Sequence, residues 1–261
     1  MPEVERNSVA LVTGAARRIG RRIAERLAGA GYGVALHASP ASAGEAATVA
    51  AAVRAGGRRA IVLPADLADD GAVASLVPAA VASLGPVTLL VNSAAIFQPD
   101  RADDPDLLDR HLAVNLRAPL RLIAAFAAAL PAGREGAIVN VLDQRVLRPN
   151  PVAFSYGVSK SALWSATVLA AQAFAERGIR VNAVGPGPTC PNRHDGPDGM
   201  AAEASGVPLG RAVSADDIAD AVLYLAGARN VTGQLIAVDA GQHLGWRTPD
   251  VLATLRTKDP T

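Results

Sequence analysis

One cysteine, Cys190, stands in a chain of 261 residues. With no second thiol an internal disulfide is excluded, and the free thiol fits a reducing compartment. Aromatic residues are sparse too. Phe, Trp and Tyr make up 3% of the chain while half of it is hydrophobic, so the core must be built from Ala, Val, Leu and Ile. Neither sign of charge dominates. Lys and Arg number 25 and Asp and Glu 24, leaving +1, which gives no electrostatic reason to expect nucleic acid or an acidic membrane as the main partner. The longest apolar run, around Leu122 to Ala132, is too short to span a bilayer. The polar opening Met1-Pro-Glu-Val-Glu-Arg-Asn does not read as a signal peptide. The cytoplasm is therefore the expected location. No spacing of His, Cys and carboxylates suggests a metal site.

What the chain does have is alternation. Ser8–Thr13 reads as a buried strand, Arg21–Ala30 as a helix stopped by Gly31, and Gly33–His37 as a second strand. The pattern continues with helix Ala41–Gly56, strand Arg59–Leu63, helix Asp69–Leu84 and strand Val87–Val91. A long helix over Asp104–Leu130 follows, then strand Ala137–Leu142, helix Val152–Arg177 and strand Ile179–Val184. A Pro- and Gly-rich loop from Gly185 to about Gly210 precedes helix Ala215–Ala226 and strand Gln234–Val238. Such an order predicts an α/β fold, a doubly wound Rossmann-type parallel sheet of about seven strands with helices on both faces. No linker, repeat or low-complexity tract divides it, so one domain over 1–261 is expected. The helix around Val158–Ala175 is apolar on nearly every side, which predicts burial all round and hence contact with another subunit.

Thr13-Gly-Ala-Ala-Arg-Arg-Ile-Gly20 lies between the first strand and first helix. Gly14 and Gly20 let backbone approach a pyrophosphate at the helix N-terminus, with Arg17, Arg18 and Ile19 in the same turn. Dinucleotide folds often end their second strand in an acid that holds the ribose 2′-hydroxyl. Here that place reads Leu36-His37-Ala38-Ser39-Pro40. A missing acid and two added arginines suit a 2′-phosphate, hence NADPH over NADH. Asp66, beside Leu67, could accept from the adenine amino group or cap the next turn. Asn92-Ser93-Ala94 follows the fourth strand at the ligand-binding edge. Asn115 is a poor helix former inside a long helix, so it could hold a water or a backbone distortion. Gly185-Pro186-Gly187-Pro188-Thr189 could hold the carboxamide and phosphates.

Tyr156 and Lys160 are four apart on a predicted helix and share one face. An ammonium beside a phenol favours the phenolate and lowers the tyrosine pKa, and a tyrosine tuned that way can pass a proton near neutral pH. Asp143, ending the preceding strand, could reach the same pocket or cap the following turn. Arg193, His194, Asp195 and Met200 lie in a loop of a composition that often covers substrates.

Taken together, Thr13-Gly14 with Gly20, Asp66, Asn92, Asn115, Tyr156 with Lys160, Pro186-Gly187 and Val231-Thr-Gly-Gln resemble the short-chain dehydrogenase/reductase family over nearly the whole chain. The resemblance implies hydride transfer with nicotinamide, Tyr156 as proton donor, Lys160 on the ribose, and Asn115 positioning a relay water. It also implies a homotetramer or homodimer. Two departures are informative: Arg18 stands where the turn usually has a third glycine, and Asp143 where the family has serine. Both resemble the pteridine reductase branch, which includes dihydromonapterin- and dihydrofolate-reducing members. That branch has a histidine like His37 and a phenylalanine like Phe97 that sandwiches the pterin. Ser93 and Ala95 replace residues that are often Asn and Ser there, and Pro40 stands near the place of a missing basic residue. The expected substrate-binding set is Arg18, Phe97, Asp143 and Tyr156, although Phe97 could be an apolar plug and Arg18 a surface ion pair. The expectation is an NADPH-dependent reductase of a pterin-like C=N bond. The alternatives are a general NADPH-dependent carbonyl reductase or a catalytically silent nucleotide-binding scaffold.

Overall fold

The computed structural model describes residues 8–103, 107–190 and 196–246. In chain order the elements are β1 (Val9–Val12), α1 (Arg18–Ala30), β2 (Gly33–Ala38), α2 (Ala43–Ala55), β3 (Ala60–Pro64), α3 (Asp70–Leu84) and β4 (Val87–Asn92). Then come α4 (Leu108–Leu112), a π-helical turn (Ala113–Arg117), α5 (Ala118–Ala129), β5 (Gly136–Val141) and α6 (Phe154–Phe174). The last are β6 (Ile179–Pro186), α7 (Gly196–Gly206), α8 (Ala215–Gly227) and β7 (Leu235–Val238). The strands form one sheet in the order β3-β2-β1-β4-β5-β6-β7, and every neighbouring pair is parallel. The doubly wound architecture read from the alternation is thus the observed one.

Two apolar layers sandwich the sheet. On one face Ile23 and Leu27 of α1, Val49 of α2 and Val222 of α8 pack on β1, β2 and β4. On the other, Leu76 of α3, Leu122 and Phe126 of α5 and Ala171 of α6 do the same. The central strands β1 and β2 are buried along their whole length, which is why they read as continuous apolar runs rather than as alternating ones. The order reverses between β1 and β4, so the crevice beyond their carboxyl ends is where a ligand binds in such sheets.

Several readings need correction. The long fourth helix is continuous in direction but breaks into a π turn at Ala113–Arg117, centred on Asn115. The segment read as a loop before Gly210 contains α7. Its Pro197 stands in the first turn, where a proline's missing N–H breaks no helical bond, so the proline that suggests a loop starts a helix instead. Finally, Leu108–Ala129 is long and apolar enough, by length and composition, to cross a membrane, contrary to the short run read from sequence. Half of that stretch is buried, with Leu122, Ile123, Phe126 and Ala127 against the sheet. Core packing accounts for its apolarity.

Nor is α6 buried all round within one chain. Ser155, Tyr156, Ser159, Lys160, Leu163, Thr167 and Ala171 form its buried face, while Leu169 is 64% exposed and Val158 also faces outward.

Candidate active site

Loops beyond the carboxyl ends of the strands enclose a cleft of about 1760 Å³. Ordinary small-ligand sites occupy about 300–1000 Å³, so this one has room for a dinucleotide and a second molecule together.

At one end the β1–α1 turn meets the loop after β4. Gly14 has φ +68°, and a Cβ there would lie 2.9 Å from the Ala94 Cα. A Cβ on Gly20 would strike the Gly14 carbonyl oxygen. The turn therefore closes only with glycine at both places. Thr13 Oγ1 fastens the two loops by accepting from the Ser93 and Ala94 N–H groups at 2.9 and 3.0 Å. No acid occupies the first turn of α1, so its free N–H groups and dipole remain available to an anion. These features fit the diphosphate of a dinucleotide. Arg17, Arg18, Ile19 and Gly20 line this end, with His37, Ser39, Asp66, Leu67, Ser93 and Ala94.

Arg18 has φ +53°. A non-glycine residue in the left-handed region costs about 1–2 kcal/mol, so the backbone keeps the conformation suited to glycine while carrying a cation. Its Nη2 donates to the Cys190 carbonyl at 3.3 Å, bridging the first turn and the loop after β6. Arg17 sits 3.7 Å from Glu45 in an exposed pair, an arrangement of little strength.

His37 lines the cleft but serves the turn. Its Nδ1 accepts from the Gly14 N–H at 3.2 Å, and its Nε2 lies 3.2 Å from the Ala65 carbonyl. Those partners require a neutral ring with the proton on Nε2, and burial lowers its pKa accordingly. His37 therefore offers no charge to a phosphate. Asp66 accepts from the Ala68 N–H at 2.9 Å, the turn-capping role, while still lining the cleft. Thr189 Oγ1 donates to the Gly187 carbonyl at 2.9 Å, and Pro186, Gly187 and Thr189 line the opposite wall. Ser42, 2.8 Å from Ser39 Oγ, also lines the cleft, a position that no sequence motif marks.

At the other end Tyr156 and Lys160 emerge one turn apart on α6. Ala153, with φ +58°, turns the chain into that helix, and Asp100 Oδ1 accepts from the Ser155 N–H at 3.0 Å. The Tyr156 hydroxyl donates to Asp143 Oδ2 at 2.9 Å. Asp143 Oδ1 accepts from the Arg145 N–H at 2.8 Å, so the carboxylate caps its turn and meets the phenol at once. The Phe97 ring stands edge-on to Tyr156, centroids 4.9 Å apart at 84°. Lys160 Nζ donates to the Val141 carbonyl at 2.7 Å.

The expected lowering of the tyrosine pKa is overturned. Burial, and then the Asp143 charge and hydrogen bond, hold the Tyr156 phenol well above its ordinary range. The Lys160 Nζ lies 5.8 Å from the ring centre and is bonded to backbone. Burial also raises the Asp143 pKa, against the bond from Arg145 and the nearby cations. Without ligand the phenol therefore holds its proton, beside a carboxyl group reluctant to ionise.

Burial lowers the Lys160 pKa from 10.5 to about 8. Between those values the unfolded chain binds a proton on Lys160 that the folded chain does not, so stability rises with pH through this group. The gain is about 1.4 kcal/mol per pH unit well inside the window. Above pH 10 it is opposed, because the folded Tyr156 keeps a proton that the unfolded chain loses. Denaturation midpoints measured from pH 7 to 9.5 should rise for the wild-type protein relative to Lys160→Met as pH rises. Parallel curves would exclude a neutralised Lys160.

Two expected residues do not line the cleft. Asn92 is buried and donates from Nδ2 to Asn140 Oδ1 at 2.8 Å, and Asn140 passes on to Thr167 Oγ1 at 2.9 Å. Its amide crosslinks β4 and β5 beneath the site, which corrects its assignment to cofactor contact. Asn115 Oδ1 accepts from the Ile96 N–H at 2.9 Å, and its Nδ2 donates to the Ile96 carbonyl at 3.0 Å and to Ser159 Oγ at 3.1 Å. It thereby holds the π turn to the loop bearing Phe97. Gln144, Arg145, Glu203 and Gln242 line the cleft without having been anticipated. Arg193, His194 and Asp195 lie outside the described residues.

Residues 14–243 match the family described as enoyl-(acyl carrier protein) reductase. The 3-oxoacyl-[acyl-carrier-protein] reductase of Staphylococcus epidermidis is 33% identical, over 91% of this chain and all of that protein. Among solved structures, FolM alternative dihydrofolate reductase 1 from Brucella canis, complexed with NADP, superposes with a TM-score of 0.91. It is 44% identical, covering 96% of this chain and 100% of that one. The Brucella suis counterpart, also in complex with NADP, is 46% identical with a TM-score of 0.90, covering 94% and 98%.

Proposed function

The chain belongs to the short-chain dehydrogenase/reductase family, and on that premise we propose that it is an NADPH-dependent reductase of a pterin-like C=N bond. NADP dependence accords with the NADP-bound neighbours and with the acid-free end of β2. Arg17, Ser39 and Ser42 would receive the 2′-phosphate, and the Gly14–Gly20 turn the diphosphate. When bound, the reduced nicotinamide supplies the hydride.

The observation that carries the substrate class is the 2.9 Å bond from the Tyr156 hydroxyl to Asp143 Oδ2. A serine beside the phenol suits hydrogen bonding to a carbonyl oxygen. A carboxyl group suits proton supply to a ring nitrogen and acceptance from an amino-pyrimidine edge. Reduction breaks the C=N π bond and forms C–H and N–H bonds. Tyr156 delivers the proton to nitrogen, and Asp143 replenishes it through solvent. Phe97, edge-on to Tyr156, walls the site for a flat ring, and Arg18 closes it from the turn. Preorganised groups of this kind commonly contribute several kcal/mol of barrier lowering.

A carbonyl reductase is the competing reading, favoured by the 3-oxoacyl relative. NADPH consumption with dihydropterins and with a ketone panel separates the two. Turnover of dihydropterins is expected, and activity on ketones alone would sink the pterin assignment.

A further inference from the structure

The turn after Asp143 leaves two polar atoms unanswered. Arg145 Nη1 and Gln144 Oε1 are both buried from solvent without a hydrogen-bond partner among the described residues, and both residues line the cleft. A buried donor left unpaired is costly, and more so when it is charged. The guanidinium carbon of Arg145 sits 5.4 Å from the centre of the Phe97 ring, the ring that packs on Tyr156. Stacking against an aromatic holds a guanidinium plane while leaving its N–H groups free to bond in that plane. The arginine is therefore placed beside the proton donor with an N–H to give.

We propose that Arg145 is a specificity-determining residue that binds an acceptor oxygen of the substrate, a ring oxo group or a carboxylate, through Nη1. Gln144 Oε1, one residue earlier, takes a ligand N–H on the same rim. The assignment rests on the pterin reading above, since a 4-oxo pyrimidine edge offers both an acceptor oxygen and an N–H.

The test is Arg145→Met, which keeps length and contact with Phe97 but removes the donors. Each protein is assayed with a dihydropterin lacking a carboxylate, with dihydrofolate, and with a ketone matched to its oxo acid. NADPH affinity is measured separately by fluorescence titration. A charge-assisted bond of about 1.5–3 kcal/mol corresponds to a roughly 10- to 150-fold change. The variant should raise KM by at least about tenfold for oxygen-bearing substrates, with kcat changed less than about threefold and NADPH affinity unchanged. A rise on both pterins identifies the ring oxygen as the ligand, and a rise on dihydrofolate alone identifies the carboxylate. If the wild-type protein reduces only ketones, the pterin reading fails, and the arginine is judged on the oxo acid against its plain ketone. Loss of preference for the acid then upholds the assignment. Unchanged KM throughout, or weakening of NADPH in proportion, overturns it.

Discussion

Replacing Tyr156 with phenylalanine is expected to lower turnover by roughly 10²–10⁴, the usual contribution of a positioned proton donor, while NADPH affinity stays within about twofold. Fold and chemistry separate cleanly at this residue. Phenylalanine keeps the ring that meets Phe97 at 4.9 Å and His111 at 6.4 Å, so the packing of α6 against α4 and the loop after β4 persists. What disappears is one hydroxyl and its bond to Asp143. That bond helps hold the Asp143 pKa down, so in the variant the carboxyl group should titrate at still higher pH. Steady-state rates with saturating NADPH, beside a fluorescence titration of cofactor, read both effects. Equal rates in the two proteins would mean that Asp143 alone supplies the proton, or that the phenol has no chemical role. A scaffold protein without activity would show cofactor binding and no rate to lose.

The phenol, amine and acid were legible in the sequence because strand and helix periodicities fix where consecutive elements end. Asp143 follows β5 and Tyr156 lies in the first turn of α6, and parallel strands bring such ends to one edge. Less visible was what each group bonds to. His37 reads as a cofactor residue, yet it supports Gly14 from behind. Asn92 reads as a ligand contact, yet it bonds sideways to Asn140 across the sheet. Spacing gives the level of a residue along a strand but not which neighbour its polar atom finds. Asn115 reads as a misfit in a helix, and the π turn is the form that misfit takes. The pKa of Tyr156 departs from the spacing for a related reason. Lys160 does share its face, but the Val141 carbonyl takes that ammonium, and burial, followed by the Asp143 charge and hydrogen bond, raises the phenol. Gln144 and Arg145 carry no such signal, because a short turn after a strand has no periodicity that tells which residues will face a cleft.

Asp143→Asn is expected to separate the two substrate classes. In the present site one carboxylate oxygen accepts from the Arg145 N–H and the other from Tyr156. An asparagine retains one oxygen for the backbone N–H, and its amide then faces the phenol as a donor. Two consequences follow. The site loses its second acid, so dihydropterin turnover should fall by about 100-fold or more, within the range of a lost general acid. The Tyr156 pKa should also fall, because the charge and the hydrogen bond that raise it are both removed. A phenol relieved of that bond can donate to a carbonyl oxygen as it would beside a neutral serine. Ketone turnover should therefore change by less than about tenfold, and the alkaline limb of its pH–rate profile should move to lower pH. The ratio of dihydropterin to ketone kcat/KM thus carries the result. A variant that loses both activities equally would make Asp143 a structural cap for the Arg145 turn. One that keeps dihydropterin turnover would leave Tyr156 as the sole proton source, and the substrate class would no longer follow from the carboxylate beside it.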